Sequence, residues 1–465
     1  MQQRFQQAMH AILAAAQLTH AQHRGVAVAY SGGLDSAVLL QLTAAYAQEH
    51  GIRIVALHVH HGLSPHADAW VAHCQEQCHG LGVTFDLARV SLADAPSDGI
   101  ESAARQVRYQ ALGDLCRRHH VTVLLTAHHQ DDQAETMLLQ LLRGAGVAGL
   151  CGMQKMHFAP GLLGSADLLL ARPLLTCARS DLERFAAQVP LLHVEDESNS
   201  DTRFARNALR HQVMPVLEQY FPGFQARFAR TAQHAQSAQQ LLEQMASADY
   251  AACLVEGGLD VEKLRQLNDA RGDNVLRHWL ASHQAQMPST ARLMEIRKQL
   301  LHSREDAKAT VKHGAIEVHR YRHRLEIAAG AHPVPSVQPF HWQGEASLAF
   351  PMFFGTLHFV EAEVGIARDW LLTSPLELRP RQGGERLRLA HNRPSRDMKS
   401  HYQTSGIPFW QRERLPFVFF ENQIVFAAGF DVAGTDAGVC QGIDAQFQVG
   451  QGVCVLLRWE PNPIN

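Results

Sequence analysis

Residues 26–42 read "VAVAYSGGLDSAVLLQL". The stretch opens as an apolar strand, closes as an apolar helix, and turns between them on Ser31, Gly32, Gly33, Leu34, Asp35 and Ser36. Backbone N–H groups in a glycine-rich turn, followed by a helix N-terminus, bind anionic oxygens. The two serines add hydroxyls, and Gly32 and Gly33 permit close approach. The Gly-Lys-Ser/Thr of an ordinary P-loop is missing. Asp35 would repel a bare phosphate, but a bridging Mg²⁺ reconciles acid and phosphate. The turn therefore suits a metal-bound triphosphate or pyrophosphate. On these six residues alone, a strand–helix turn with Asp35 and Ser36 as helix caps is the structural alternative.

Outward from the turn, residues 25–175 alternate strand and helix. The strands are "GVAVAY", "IRIVALHVH", "VTFDLARV" and "VTVLLTAHH", and helical stretches lie between them. Strands joined by helical crossovers predict a parallel, doubly wound α/β sheet, with ligands at the carboxyl ends of the strands. A second acidic strand end lies in "TAHHQDDQAET", residues 126–136. Asp132 and Glu135, three residues apart, share one face of the helix that begins there. Asp131 reads as that helix's cap or dipole complement, and His128 as a site residue or a satisfied core histidine. Asp35 and Asp132 then face one crevice and could share Mg²⁺, while Glu135 attracts a cationic substrate group.

The chain has 465 residues, enough for two or three domains. It divides into a nucleotide-binding domain over 1–215, a mainly helical domain over 216–327, a linker and β segment over 328–369, and a small β-rich domain over 370–465. Residues 309–328 alternate like a hairpin, and 328–340, rich in Pro, Gly and Ala, read as linker. No run is long or apolar enough to span a bilayer, so no membrane partner is expected. The eight cysteines are scattered, which predicts free thiols in a reducing cytoplasm. Cys74 and Cys78, one helical turn apart beside His73 and His79, read as apolar packing before a metal site. Net charge is only −3, but its distribution is uneven. From residue 379 to 414 there are eight arginines and Lys399 against three acids, and Arg203, Arg206, Arg210, Arg227 and Arg230 form another cluster.

These motifs resemble a known family. "SGGLDS" after a hydrophobic strand is similar to the pyrophosphatase loop of N-type ATP pyrophosphatases. "HVHHGL" (58–63), "GIESAARQVRY" (99–109), "TAHHQDDQAET" (126–136), "RGAGVAGLCGM" (143–153), "RPLL" (172–175) and "EDESNSDTRFARNALR" (195–210) narrow the resemblance to the tRNA(Ile)-lysidine synthetase family. The rest resembles the family's long bacterial form, marked by "RPRQGGERL" and "QTSGIPFWQRERLPFVF". In one departure, Ser400 follows Lys399 where the family often has paired lysines.

The resemblance implies that a wobble cytidine in an isoleucine tRNA with a CAU anticodon is adenylated at its C2 oxygen by ATP with Mg²⁺. L-lysine then displaces AMP. It further implies that residues 31–36 bind ATP, that Asp35 and Asp132 hold Mg²⁺, and that His128 assists adenylation. Arg206 would stabilise phosphate charge. Asp132 and Glu135 would meet the lysine ammonium, and Arg108, with Arg105 as rival, the lysine carboxylate. Arg203, Arg210, Arg393, Arg396 and Lys399 would contact tRNA phosphates or face solvent. The arginine-rich stretch with Tyr402, Phe409 and Trp410 could contact the tRNA body or, equally, be a solvated basic face over an ordinary β core. A second copy of the chain is admitted as a partner. The alternatives are a tRNA thiolation enzyme of the same fold, for which Cys151 lacks a suitable partner, and a nucleotide-binding module without catalysis, for which the paired acids are too many.

Overall fold

Residues 26–42 fold as a buried strand, a tight turn and a long helix. The computed structural model describes all residues except 18–24, 61, 63, 65, 92–99, 190, 196–200, 204, 304–308, 331–334, 431–441, 451 and 463–465. His61 and Leu63, Gly99, residues 196–200 with Phe204, and 331–334 of the stretch read as linker thus lie outside the described residues. The chain forms two compact units, Met1–Leu242 and Glu243–Asn465.

In the first unit, strand β1 (Gly25–Ala29) is followed by α2 (Leu34–His50), after the N-terminal helix α1 (Gln2–Ala15). Then come β2 (Arg53–His60), α3 (Ala67–Gly80), β3 (Thr84–Arg89), α4 (Ile100–Arg118), β4 (Val123–Leu125) and α5 (Gln130–Leu142). The sheet order is β3-β2-β1-β4-β6-β5, with β5 (Met156–Phe158) and β6 (Leu169–Ala171) completing it. All neighbours are parallel except β5, an antiparallel edge. The strands are apolar on both faces because both are covered. Val26 and Val28 of β1 and Ile54 and Ala56 of β2 point into one core with α1, α2 and α3. Ala27, Val55, Leu57 and Leu124 point into another with Tyr109, Leu112 and Leu115 of α4. The period-2 alternation thus fills two cores, as a doubly wound sheet requires. Strand order reverses between β1 and β4, which opens a crevice at their carboxyl ends.

The second unit holds two bodies of secondary structure. Helices Val261–Gln266, Asp269–Ser282 and Thr290–Leu301, capped by Asp260, Asn268 and Ser289, pack on a five-stranded antiparallel sheet. The stretch read as a hairpin is a three-stranded meander within that sheet: Thr310–His313, Ile316–Tyr321 and Arg324–Ala329. The β-rich body contains two four-stranded sheets and a two-stranded ribbon. Its core takes in Trp342, Phe350 and Phe353, and Gln338–Phe340 pairs with Leu376–Arg379. Much of the 328–369 segment therefore belongs to this β core, because its apolar residues alternate into it. Tyr402 is fully buried and donates to the Ala428 carbonyl at 2.9 Å. Trp410 is buried and stacked on His319, 4.1 Å between centroids. Those two aromatics are packing residues, not an exposed stacking platform for tRNA.

Candidate active site

The loop after β1 needs glycine at one of its two positions. Gly32 has φ +89°, and a Cβ there would lie 2.9 Å from the Cys74 sulfur and 3.1 Å from Val194 Cγ2. At Gly33 a Cβ would make only ordinary contacts, at 3.7 Å and beyond, so packing does not demand a glycine there. The Ser36 hydroxyl is buried and donates to the Gly33 carbonyl at 2.9 Å, and it accepts from the Ser31 amide at 3.3 Å. This cross-link sets the turn, while Ser31 stays exposed. Asp35, in the first turn of α2, is half-buried, and its Oδ1 is buried without a hydrogen-bond partner. Cys74 and Cys78 are fully buried beneath the loop, and burial pushes both thiols up to about 12, as apolar packing would.

The loop after β4 supplies the second wall. His129, buried, is the N-cap of α5: its Nδ1 accepts from the Asp132 amide at 3.4 Å, while its own amide donates to Asp132 Oδ2 at 3.0 Å. Asp131, expected to cap this helix, instead accepts from the Arg179 amide at 2.9 Å, at the start of helix Arg179–Gln188. His129 Nε2 sits 3.5 Å from Asp35 Oδ2 and 3.4 Å from Asp132 Oδ2. The crevice thus brings Asp35 and Asp132 onto one imidazole. Sequence reasoning weighed His128 and missed His129, since histidine rarely signals a helix cap.

Glu135 is 1% exposed. Its Oε2 accepts from Arg206 Nε at 2.7 Å, and its Oε1 from Arg210 Nε at 2.7 Å. Arg206 and Arg210 also donate to Asp132 Oδ1, at 2.8 and 3.3 Å. Arg210, expected on tRNA phosphates or in solvent, is therefore an arm of the crevice, because buried Glu135 needs a countercharge. Arg203 is not: it is exposed and paired with Asp201 at 2.7 Å. Arg105 and Arg108 lie 4.8 and 5.5 Å from the ring of buried Tyr109. Buried Arg172 donates to the Gln154 carbonyl at 2.8 Å, and its Nε lacks a hydrogen-bond partner. Its sequence context, an apolar strand end, gave no sign of a charge facing His128. In the other unit, Arg393, Arg396 and Lys399 are all exposed. Among the described residues, no group of three or more His, Cys, Asp or Glu side chains forms a metal cage, and no helix is long and apolar enough to cross a membrane.

Adjacent histidines are tuned oppositely. Desolvation, reinforced by Arg172, Arg206 and Arg105, overcomes Asp132 and lowers His128 to about 3. Burial also favours neutral His129, but Asp35, Asp132 and Asp131 outweigh it and raise its pKa. Asp132 is likewise penalised by burial, and His129 and Arg206 hold its carboxyl well below the usual range. Below the ordinary histidine value of 6.5, His129 contributes its full stabilisation, lost as pH rises through its raised pKa. His128 contributes above 6.5 and loses that contribution as pH falls toward about 3. In an NMR titration of ring resonances, His129 is expected to titrate above 6.5 and His128 to stay neutral at pH 5. Coincident ordinary titrations would contradict this.

A doubly wound sheet with a glycine-rich acidic loop at its switch point defines a PP-loop ATP-binding enzyme, and residues 1–217 match the family model of the PP-loop domain. Residues 259–326 match the TilS substrate binding domain and 376–446 the TilS substrate C-terminal domain. The chain is 40% identical to the tRNA(Ile)-lysidine synthase of Burkholderia pseudomallei, over 94% of this chain and 93% of the relative. It is 37% identical to that of Coxiella burnetii, over 90% of each. The chain belongs to the tRNA(Ile)-lysidine synthase family: it is a ligase of tRNA modification that uses ATP. Among solved structures, a U34-tRNA thiolase from Methanococcus maripaludis is similar with TM-score 0.40 and 16% identity, covering 50% of this chain and 78% of that one.

Proposed function

We propose that the enzyme joins L-lysine to C2 of the wobble cytidine in an isoleucine tRNA with a CAU anticodon, through an adenylated cytidine. The cytidine C2 oxygen attacks the α-phosphorus of ATP, the O–P bond forms, and pyrophosphate leaves with the electron pair of the α–β bridge. The lysine ε-amine then attacks C2, loses a proton, and expels AMP. The observation that carries this reading is the convergence of Asp35 and Asp132 on His129, within 3.5 Å, at the ends of β1 and β4.

The loop of residues 31–36 would hold the triphosphate on its amides, with bare Gly33 allowing a phosphate oxygen against the helix N-terminus. Asp35, whose Oδ1 is buried without a partner, fits a Mg²⁺ ligand, and Asp132 would join it once its arginine contacts are exchanged. Mg²⁺, when bound, neutralises phosphate charge. His128, held neutral, can hydrogen-bond at the α-phosphate without adding charge. Arg206 would meet negative charge that grows as pyrophosphate departs. Asp132 and Glu135 would hold the lysine ammonium, and Arg108 or Arg105 its carboxylate. Arg393, Arg396 and Lys399, exposed on the β-rich body, are candidates for tRNA phosphate contacts, which are salt-dependent.

A pyrophosphate-release assay with labelled lysine tests the whole reading. Pyrophosphate release is expected only when ATP and the CAU tRNA are both present, and label transfer only when lysine is present as well. Release at the same rate without tRNA, or tRNA that gains no lysine, would sink it.

A further inference from the structure

The carboxylate pair assigned to the lysine ammonium is already occupied by this chain. Glu135 has almost no solvent contact. Arg210 reaches both of its oxygens, Nε to Oε1 at 2.7 Å and Nη2 to Oε2 at 3.1 Å, and Arg206 Nε reaches Oε2 at 2.7 Å. Asp132 Oδ1 takes both guanidinium groups as well, and its Oδ2 takes the His129 amide. Two cations over two carboxylates leave no net attraction for an ammonium. Lysine would have to displace forked, charge-assisted hydrogen bonds, which are stronger than neutral ones.

We infer that Arg206 and Arg210 close the amino-acid subsite and that a magnesium triphosphate opens it, so that nucleotide binds before lysine. This rests on the reading of Asp132 and Glu135 as the lysine pocket. Three observations support it. Both guanidinium groups keep partial solvent contact, 29% and 27% of the side chain, so a path out of the pocket exists. Arg210 feels the charge of Asp35 on the phosphate loop, so the loop is within its electrostatic reach. A polyanion bound there is a stronger partner than carboxylates already neutralised. Arg210 also lies in a π-helical turn, Leu209–Val213, that follows the short helix Ala205–Ala208. Such turns are uncommon and occur often at functional sites. Conversion of the turn to α-helix shifts register by one residue and swings a side chain about 100° around the axis, enough to move Arg210 from one partner to another.

Equilibrium dialysis of labelled L-lysine against the full chain reads the closure directly. Lysine should bind about tenfold or more tighter with the non-cleavable analogue AMPCPP and Mg²⁺ than without them. Arg210→Gln, which frees Glu135 Oε1, should bind lysine without nucleotide about tenfold better than the unaltered enzyme and lose most of the nucleotide dependence. Arg210→Lys, which keeps the charge, should restore part of it. Should these variants not fold, the unaltered enzyme still decides: by reciprocity lysine must tighten AMPCPP binding by the same factor. Lysine bound equally well with and without AMPCPP overturns the closure and leaves the pocket standing, as does lysine that binds only after tRNA is added to the analogue. Lysine that binds in no state overturns the pocket, and the closure with it.

Discussion

Asparagine in place of Asp35 is expected to cut tRNA-dependent pyrophosphate release by about 10²-fold or more, the scale of losing a main electrostatic stabiliser of the reacting phosphate. Asn keeps the size of the side chain and the geometry of the first turn of α2 but removes the charge that the proposed Mg²⁺ would require. The fold has little reason to suffer. Asp35 Oδ1 is buried without a hydrogen bond, and a desolvated, unpaired acceptor costs stability. The loss to set against that is the attraction of Oδ2 for His129 at 3.5 Å. The two effects oppose, so thermal melting should move by no more than a few degrees. A second readout comes from His129. Asp35 is one of the carboxylates that raise its pKa, so its titration should move down in the variant. Near-normal turnover would remove Asp35 from the proposed metal site. A large drop in melting temperature would make it a structural residue instead.

Glu135→Ala is expected to be the most destabilising single change in the crevice. It strips the countercharge from two arginines at once, and breaking a buried ion pair from one side costs about 3–5 kcal/mol. Because Arg206 and Arg210 keep 29% and 27% exposure, they can turn toward water, and the lower end of that range applies. Glu135→Gln keeps an acceptor for one guanidinium and should lose less, about 1–3 kcal/mol. Urea unfolding at fixed pH measures both. If Glu135→Ala unfolds at the urea concentration of the unaltered protein, the ion-pair lattice contributes nothing to the fold.

Much of the catalytic unit was legible because its signals are local. The turn at residues 31–36 declares itself by Gly32, whose φ of +89° an L side chain resists, and by the change from period 2 to period 3.6 across it. Asp35 and Asp132 could be placed together because parallel strands deliver their carboxyl ends to one crevice. What stayed hidden depends on partners remote in sequence. Arg210 lies 75 residues from Glu135, and nothing around either names the other. Asp131 has the sequence position of a cap, yet it serves a helix 48 residues away, while His129 takes its place. The stretch 328–340 looked like a linker by composition, but Gln338–Phe340 is recruited as a strand, since an edge offered by Leu376–Arg379 outweighs weak local preference. Tyr402 and Trp410 could be read either as partners for RNA or as part of a β core, because aromatic residues among arginines read alike whether they face the core or solvent, and their burial decides for the core.

The β-rich body carries a constraint of timing. Its strand Gly355–Ala362 pairs along its whole length with Cys454–Pro461, far downstream in sequence. A ribosome delivers the chain from the N-terminus, and domains fold as units when their segments have emerged. The catalytic unit has all its strands early. The strand Gly355–Ala362 waits for its partner until Cys454–Pro461 leaves the exit tunnel, with its edge unpaired and its long-range closure entropy still unmet. The interval is a window for misassociation that the finished protein does not have. A ribosome stalled before residue 454 would hold the whole PP-loop domain joined to an unfinished β body.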